Sequence, residues 1–178
     1  MVTTRLLTAE DLWAMPEDAR GELLDGELLA VNPVGPEHRY VTGRLISGLN
    51  VWGEPRGYLP AGPEGGYLLR RDPDTVLAPD LSLDAPGTVA ESDHGFPDQP
   101  PLLAVEVLSP DNTRREIERK VGIYLGAGVA LVWGVDPKLR AVTVHRPGGE
   151  SRVLGEGDVP DGGEVLPGFA MPLGRLFG

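Results

Sequence analysis

The stretch from residue 102 to residue 135 constrains the fold more than any other part of the sequence. It contains an apolar segment at 102–108, a segment with helical spacing of apolar residues at 113–126, and a second apolar segment at 130–135. A helix that connects two parallel strands of one sheet nearly always makes a right-handed crossover. The sequence therefore predicts a β-α-β unit whose two strands pair in parallel.

Further elements surround this unit. Thr8 followed by Asp11 is typical of a capped helix start, and Asp25-Gly26 between two apolar pairs predicts a tight hairpin. Apolar residues at helical spacing predict a helix from about Pro36 to Trp52, and the turn residues that follow bound strands. Those strands are expected in GYLPAG, GYLLRR, TVLAPDLSL, ALVWGVD, AVTVHRP and SRVLGEGD, with a long polar loop at 85–100. We expect one α/β domain over residues 1–178, with helices packed on a mixed sheet.

Composition limits the classes of protein to which the chain can belong. Its 178 residues include no cysteine, which excludes disulfides and thiolate zinc sites. The start lacks the apolar core of a signal peptide, and no run is long enough for a membrane span, so we expect a cytoplasmic protein with no membrane partner. A net charge of −11 disfavours tight non-specific DNA binding but leaves room for a local site.

Three ionisable residues lie in unusual surroundings. Glu106 lies within LLAVEVL and Asp80 within VLAPDLSL, both among apolar residues. Lys120 follows on the predicted helix, at the edge of its apolar stripe, where its ammonium can point towards the sheet. A lone carboxylate taken out of water costs several kcal/mol unless it is paired, so Glu106 requires a partner.

These residues indicate phosphodiester chemistry if the strands of Asp80 and Glu106 are neighbours. Two close carboxylates repel each other, so one takes up a proton or a cation lies between them. Oxygen ligands without His or Cys suit Mg²⁺ or Mn²⁺, with Ca²⁺ as a further fit. A bound Mg²⁺ lowers the pKa of a water molecule, and Lys120 could stabilise charge on the phosphate. On this hypothesis, a metal ion and Lys120 compensate the charge of Glu106.

The sequence also resembles a known family. APD, PPLLAVEVLSP and ERKVGIYLGAGVALVWGVDP, together with LTAEDLWAMPEDARGELLDGELL and VLPGFAMPLGRLF near the two ends, resemble the Uma-type family of restriction endonucleases. This family is part of the PD-(D/E)XK restriction-endonuclease-like superfamily. The resemblance implies an αβββαβ core, here with extra C-terminal strands, and a divalent-metal site.

The same resemblance implies roles for individual residues. Asp80 and Glu106 match the metal-binding acids, and Lys120 matches the catalytic lysine, displaced here from the strand to the following helix. Glu22 matches an acid that often completes the site, and His38 matches a histidine at the start of the second helix. The chain departs from the family pattern at Gly21, Glu116 and Leu131.

Each candidate also has a simpler interpretation. Glu106 could be wet at a sheet edge, and Asp80 could be a turn residue after Pro79. Lys120 could pair with Glu116 on its own helix, and Glu22 could pair with Arg20 or face solvent. The remaining candidates are His38, which is commonly a capping or packing residue, and Arg114, Arg115 and Arg119, which are either solvated or in contact with phosphate. Trp13, Trp52 and Trp133 are expected in the core.

The leading functional prediction is a Mg²⁺- or Mn²⁺-dependent endonuclease that cleaves DNA and works as a homodimer, because two-fold symmetry matches a duplex. Asp80 and Glu106 would be its metal ligands. Glu22 and Lys120 would be further catalytic residues, and His38 and Arg114 would be accessory residues. The alternative is a catalytically silent module that binds nucleic acid or protein and retains the nuclease fold. A small-molecule phosphohydrolase has less support, since no glycine-rich phosphate loop is present.

Overall fold

The computed structural model describes residues 5–30, 33–63, 65–88, 95–109 and 112–178. Four α-helices and twelve strands lie within these residues. The helices are α1 (Ala9–Trp13), α2 (Pro36–Gly53), α3 (Arg114–Gly126) and α4 (Leu173–Phe177), with two short 3₁₀ turns at Glu17–Ala19 and Glu54–Arg56. The strands are β1 (Glu22–Leu24), β2 (Glu27–Leu29), β3 (Leu59–Ala61), β4 (Tyr67–Arg70), β5 (Thr75–Leu77), β6 (Leu81–Asp84), β7 (Leu103–Val107), β8 (Leu131–Asp136), β9 (Ala141–His145), β10 (Ser151–Leu154), β11 (Asp161–Gly162) and β12 (Leu166–Ala170).

The predicted β-α-β unit is confirmed as β7, α3 and β8. The two strands pair in parallel from Leu103 with Leu131 to Val107 with Val135. Every residue of β7 is buried, Glu106 included. Thr113 caps α3, and its side chain and that of Glu116 bond each other's backbone N–H groups.

A six-stranded mixed sheet extends this unit in the order β10-β9-β8-β7-β6-β3. Residues Leu103, Val105 and Val107 of β7 pack with α2 on one face, whereas Ala104 packs with α3 on the other. Read along the chain, α2, β3, β6, β7, α3 and β8 form the expected αβββαβ core, and β9 and β10 are extra C-terminal strands. The predicted mixed sheet with helices packed against it is therefore confirmed.

A second, four-stranded antiparallel sheet has the order β2-β1-β5-β4. Its β1-β2 hairpin turns at Asp25 and Gly26, whose φ angles are 56° and 80°. Both angles are positive, as a two-residue turn of type I′ requires, and this explains why the Asp-Gly pair predicted the hairpin correctly.

The segment TVLAPDLSL differs from the prediction of a single strand. It forms β5 in the four-stranded sheet and β6 in the six-stranded sheet, with residues 78–80 between them. Pro79 has no N–H and cannot donate to a strand ladder, so the chain leaves one sheet and enters the other at this point. Of the predicted loop at 85–100, residues 89–94 lie outside the described residues, and the rest contains neither helix nor strand.

The tryptophan prediction is correct for two of three residues. Trp133 and Trp52 are buried, with 0% and 8% exposure. Trp13 is 42% exposed instead, and it packs between the Phe96 ring at 5.2 Å and the Arg20 guanidinium at 4.8 Å. No helix in the described part of the chain is long and apolar enough to cross a membrane.

Candidate active site

Glu106 lies in the middle of β7 and is only 5% exposed. Side chains alternate across a strand, so Glu106 points to the same face as Ala104, which is covered by α3. Two residues of α3 contact its carboxylate. Lys120 Nζ lies 3.3 Å from Oε1 and 3.2 Å from Oε2, and the Tyr124 hydroxyl donates to Oε1 at 2.7 Å. The buried charge predicted from the sequence is therefore paired, and Glu106 is not exposed to solvent at a sheet edge.

Asp80 lies directly before β6 and beside Glu106. Strands β6 and β7 are antiparallel with Leu81 opposite Val105, and one further step in this register places Asp80 opposite Glu106. The backbone N–H of Val107 donates to Asp80 Oδ2 at 2.7 Å. The two acids thus meet across adjoining strands, and Asp80 does more than close a turn.

His38 holds the same oxygen of Asp80. It lies in the first turn of α2, is 8% exposed, and its Nε2 lies 3.1 Å from Asp80 Oδ2. Asp80 Oδ1 accepts no hydrogen bond from the described residues. The contacts at Oδ2 therefore orient the carboxylate and leave Oδ1 for a ligand.

Glu22, the first residue of β1, is brought to the other side of Lys120. Lys120 Nζ lies 2.9 Å from both Glu22 Oε1 and Glu22 Oε2, and the N–H of Ala78 also donates to Oε1 at 2.9 Å. Glu22 is 6% exposed, so it neither faces solvent nor pairs with Arg20. Lys120 therefore joins a carboxylate of the four-stranded sheet to one of the six-stranded sheet.

The position of Lys120 follows from local features of α3. Glu116, four residues earlier, is engaged in the helix cap, where its Oε2 accepts from the Thr113 N–H at 2.7 Å. The expected edge position on the apolar stripe turns Lys120 towards Glu22 and Glu106, and its side chain is 23% exposed. The simpler interpretation as an ion pair with Glu116 is not what the structure shows.

Burial dominates the electrostatics of this cluster. Burial, together with the smaller effects of the Glu22 and Asp80 carboxylates, raises the pKa of Glu106 to about 7, against the opposing effects of Lys120 and the Tyr124 hydrogen bond. Burial alone lowers the pKa of Lys120, but the two neighbouring carboxylates outweigh it and raise that pKa overall. Lys120 is therefore charged at neutral pH, whereas Glu106 takes up a proton near neutral pH.

The cluster carries an excess of negative charge when its acids are ionised. Glu22 and Glu106 contact the single ammonium of Lys120, and the Asp80 carboxylate lies beside that of Glu106. No group of three or more His, Asp or Glu side chains among the described residues is arranged so that it could hold a metal ion. Mg²⁺ commonly binds only one or two carboxylates and keeps several waters, so the carboxylates of Asp80 and Glu106 are chemically compatible with such an ion. Gly134, which pairs with Glu106, adds no side chain beside it.

Arg114 is the one predicted site residue that the structure does not bring to the cluster. Its side chain is 92% exposed and pairs with Glu118 at 2.8 Å. Arg119 bonds to Asp25 at the tip of the β1-β2 hairpin at 2.8 Å. The accessory role of Arg114 in the site remains a prediction.

Tyr124 is the contact that sequence reasoning missed. Its ring belongs to the apolar stripe of α3 and is fully buried in the core beneath that helix. A buried tyrosine usually finds a hydrogen-bond partner for its hydroxyl. Its place one turn after Lys120 was the available signal that this partner is Glu106.

Comparison with known proteins supports the fold. No curated protein matches the chain. A crystal structure described as a putative nuclease belonging to DUF820 from Anabaena variabilis superposes with a TM-score of 0.84 at 19% identity, over 96% of this chain and 97% of that one. At this identity the likeness concerns the fold alone.

The sequence itself matches a family over residues 9–174, which include β1, α2, β7 and α3 and hence every residue of the cluster. The expected family resemblance is thereby confirmed. The chain belongs to the Uma2 family, described as "Putative restriction endonuclease".

Proposed function

We propose that this protein is a divalent-metal-dependent endonuclease that hydrolyses phosphodiester bonds of DNA. The observation that carries the proposal is the convergence of Asp80, directly before β6, Glu106 on β7 and Lys120 on α3 in one partly buried cluster with excess negative charge. The description of the family as restriction endonucleases and the fold shared with a protein described as a nuclease support the same activity.

Asp80 and Glu106 would hold the metal ion, with Mg²⁺ or Mn²⁺ as the natural choices for oxygen ligands. Such an ion supplies a water of lowered pKa and polarises a phosphoryl oxygen. Asp80 offers Oδ1, because its Oδ2 is engaged by Val107 and His38. His38 therefore serves this proposal as a residue that orients Asp80.

Lys120 would stabilise negative charge on the phosphate during hydrolysis. A preorganised cation contributes most where water is scarce, and Lys120 is held in place by Glu22 and Glu106. Glu22, with both oxygens on Lys120, positions the ammonium in this proposal. We propose a homodimer as the working form, because its two-fold axis would present one such site to each strand of a duplex.

The direct test is cleavage by purified protein with Mg²⁺ or Mn²⁺, using supercoiled, linear and single-stranded DNA and RNA of similar length. The variants Asp80→Asn and Lys120→Met are purified in the same way, with Asp84→Asn as a matched control at the far end of β6. Cleavage by the wild type and the control but not by the two site variants is the expected result. Equal cleavage by all four proteins contradicts the proposal.

A catalytically silent binding module is the second candidate. Two observations favour it, namely the net charge of −11 and the mutual pairing of Glu22, Lys120 and Glu106, which stabilises the cluster without a metal ion. Calorimetry with Mg²⁺ and Mn²⁺ separates the two, because a silent site of this kind binds neither ion.

A further inference from the structure

We propose that Tyr124 is a positioning residue, which orients the Glu106 carboxylate so that one of its oxygens is presented to the metal ion. This inference rests on the proposed metal-dependent function. Tyr124 is 0% exposed, and its hydroxyl donates to Glu106 Oε1 at 2.7 Å.

The need for such a residue follows from the geometry of Lys120. The terminal torsion of a glutamate is broad, so the carboxylate plane needs a directional contact to be fixed. Lys120 Nζ lies at nearly equal distances, 3.3 Å and 3.2 Å, from Oε1 and Oε2. An ammonium placed in this way attracts both oxygens of the carboxylate about equally and does not fix the orientation of the carboxylate plane.

Tyr124 distinguishes the two oxygens of Glu106, because its hydroxyl donates to Oε1, whereas Oε2 is contacted by Lys120 alone among the described residues. Asp80 is held in the same manner, with Oδ2 bonded to the Val107 N–H and contacted by His38. Each acid therefore has one oxygen held by a directional contact from a residue other than Lys120. Partners that orient metal-binding carboxylates from behind typically change metal affinity or activity roughly 10- to 100-fold when they are removed.

The fold provides a matched control for Tyr124→Phe. Tyr67 is also buried, with 4% exposure, and its hydroxyl lies 2.9 Å from Ser82 Oγ and 3.1 Å from Asp84 Oδ1. Tyr67→Phe thus removes the same oxygen from a buried ring that is bonded to an acid outside the cluster. Both variants are compared with the wild type by melting temperature, by calorimetric titration with Mn²⁺, and by kcat and KM on DNA.

We expect Tyr124→Phe to weaken Mn²⁺ binding roughly 10- to 100-fold and to lower kcat at saturating metal while KM for DNA is unchanged. Tyr67→Phe should lower the melting temperature without changing Mn²⁺ affinity or kcat. A merely structural role of Tyr124 would give the same pattern as Tyr67→Phe, and that result overturns the inference.

The remaining outcomes separate the inference from the proposed function. Weakened Mn²⁺ binding in Tyr124→Phe together with a wild type that cleaves no nucleic acid supports the positioning role and contradicts the nuclease. Unchanged Mn²⁺ binding in Tyr124→Phe together with a wild type that cleaves nucleic acid contradicts the positioning role and supports the nuclease. A wild type that binds neither Mn²⁺ nor Mg²⁺ overturns both.

Discussion

The ammonium of Lys120 lies 2.9 Å from Glu22 across 98 positions of sequence, and this contact connects the two sheets. Lys120 also reaches Glu106 on the six-stranded sheet. A single side chain thus neutralises part of the charge of two buried acids that belong to different sheets. Its removal affects both the stability of the fold and the proposed chemistry.

Lys120→Met should therefore destabilise the protein, because it leaves Glu22 and Glu106 buried without their cation. Loss of one partner of a buried ion pair typically costs 3–5 kcal/mol, and the partial exposure of Lys120 reduces the expected loss to about 2–4 kcal/mol. Urea unfolding in the presence of a chelator measures the change. Arg114→Met, which breaks an exposed pair on the same helix, is the control and should change stability by less than about 0.5 kcal/mol. Equal stability of Lys120→Met and wild type would show that the cluster contributes no net electrostatic stabilisation.

The contribution of Glu106 to the stability of the metal-free protein should fall as pH rises from about 4.5 to about 7. Burial raises the pKa of Glu106 to about 7, so over this window the folded protein binds a proton that the unfolded chain has released. The contribution of this group is complete below the unfolded pKa and is lost as pH rises through the folded pKa, by up to about 3 kcal/mol. The measurement is the difference between wild type and Glu106→Gln in unfolding free energy from pH 4 to 8, with a chelator present. A difference that is flat across this range contradicts the assigned pKa shift.

Addition of Mg²⁺ or Mn²⁺ should raise the melting temperature of the wild type. A ligand that binds only the folded state stabilises it by about 2.7 kcal/mol at one hundred times its dissociation constant. Asp80→Asn should abolish this shift, whereas Asp84→Asn, at the other end of β6, should retain it. An unchanged shift in Asp80→Asn would place the ion elsewhere.

Arg114→Ala should weaken DNA binding if the predicted phosphate contact exists. Each phosphate contact contributes about one unit to the slope of log affinity against log salt concentration, and the variant should lose about one unit. Fluorescence anisotropy at several salt concentrations measures this slope. Arg152→Ala, on the edge strand β10 three strands away from β7, is the control. Identical slopes for Arg114→Ala and wild type would show that Arg114 is only a solvated residue of α3.

The sequence alone was sufficient for the centre of the cluster because each residue there violates a local rule. Glu106 interrupts an apolar strand, and Lys120 lies at the edge of an apolar stripe, so both required partners that the fold indeed supplies. The αβββαβ core was implied by the family resemblance, whereas the β-α-β unit and the mixed sheet followed from the order of apolar segments. These are features that short-range patterns encode directly.

Other features depend on contacts that no local pattern encodes. Continuous β-propensity in TVLAPDLSL favoured one strand, whereas the missing N–H of Pro79 divides it between two sheets. The ring of Tyr124 fits the apolar stripe of α3, so the pattern of apolar residues did not predict the contact between its hydroxyl and Glu106. Trp13 was expected in the core but packs at the surface between Arg20 and Phe96, because neighbours distant in sequence determine how a large ring is covered.

The division of the chain at Pro79 has a consequence for how the protein matures. Asp80 stands where the polypeptide passes from one sheet to the other, while Glu22 and Glu106 lie on opposite sides of that passage. A nascent chain with only one sheet assembled cannot bring both Glu22 and Glu106 to Lys120. The complete cluster therefore depends on the docking of the two sheets, and a nascent chain in which only the six-stranded sheet has formed would hold Lys120 from one side alone.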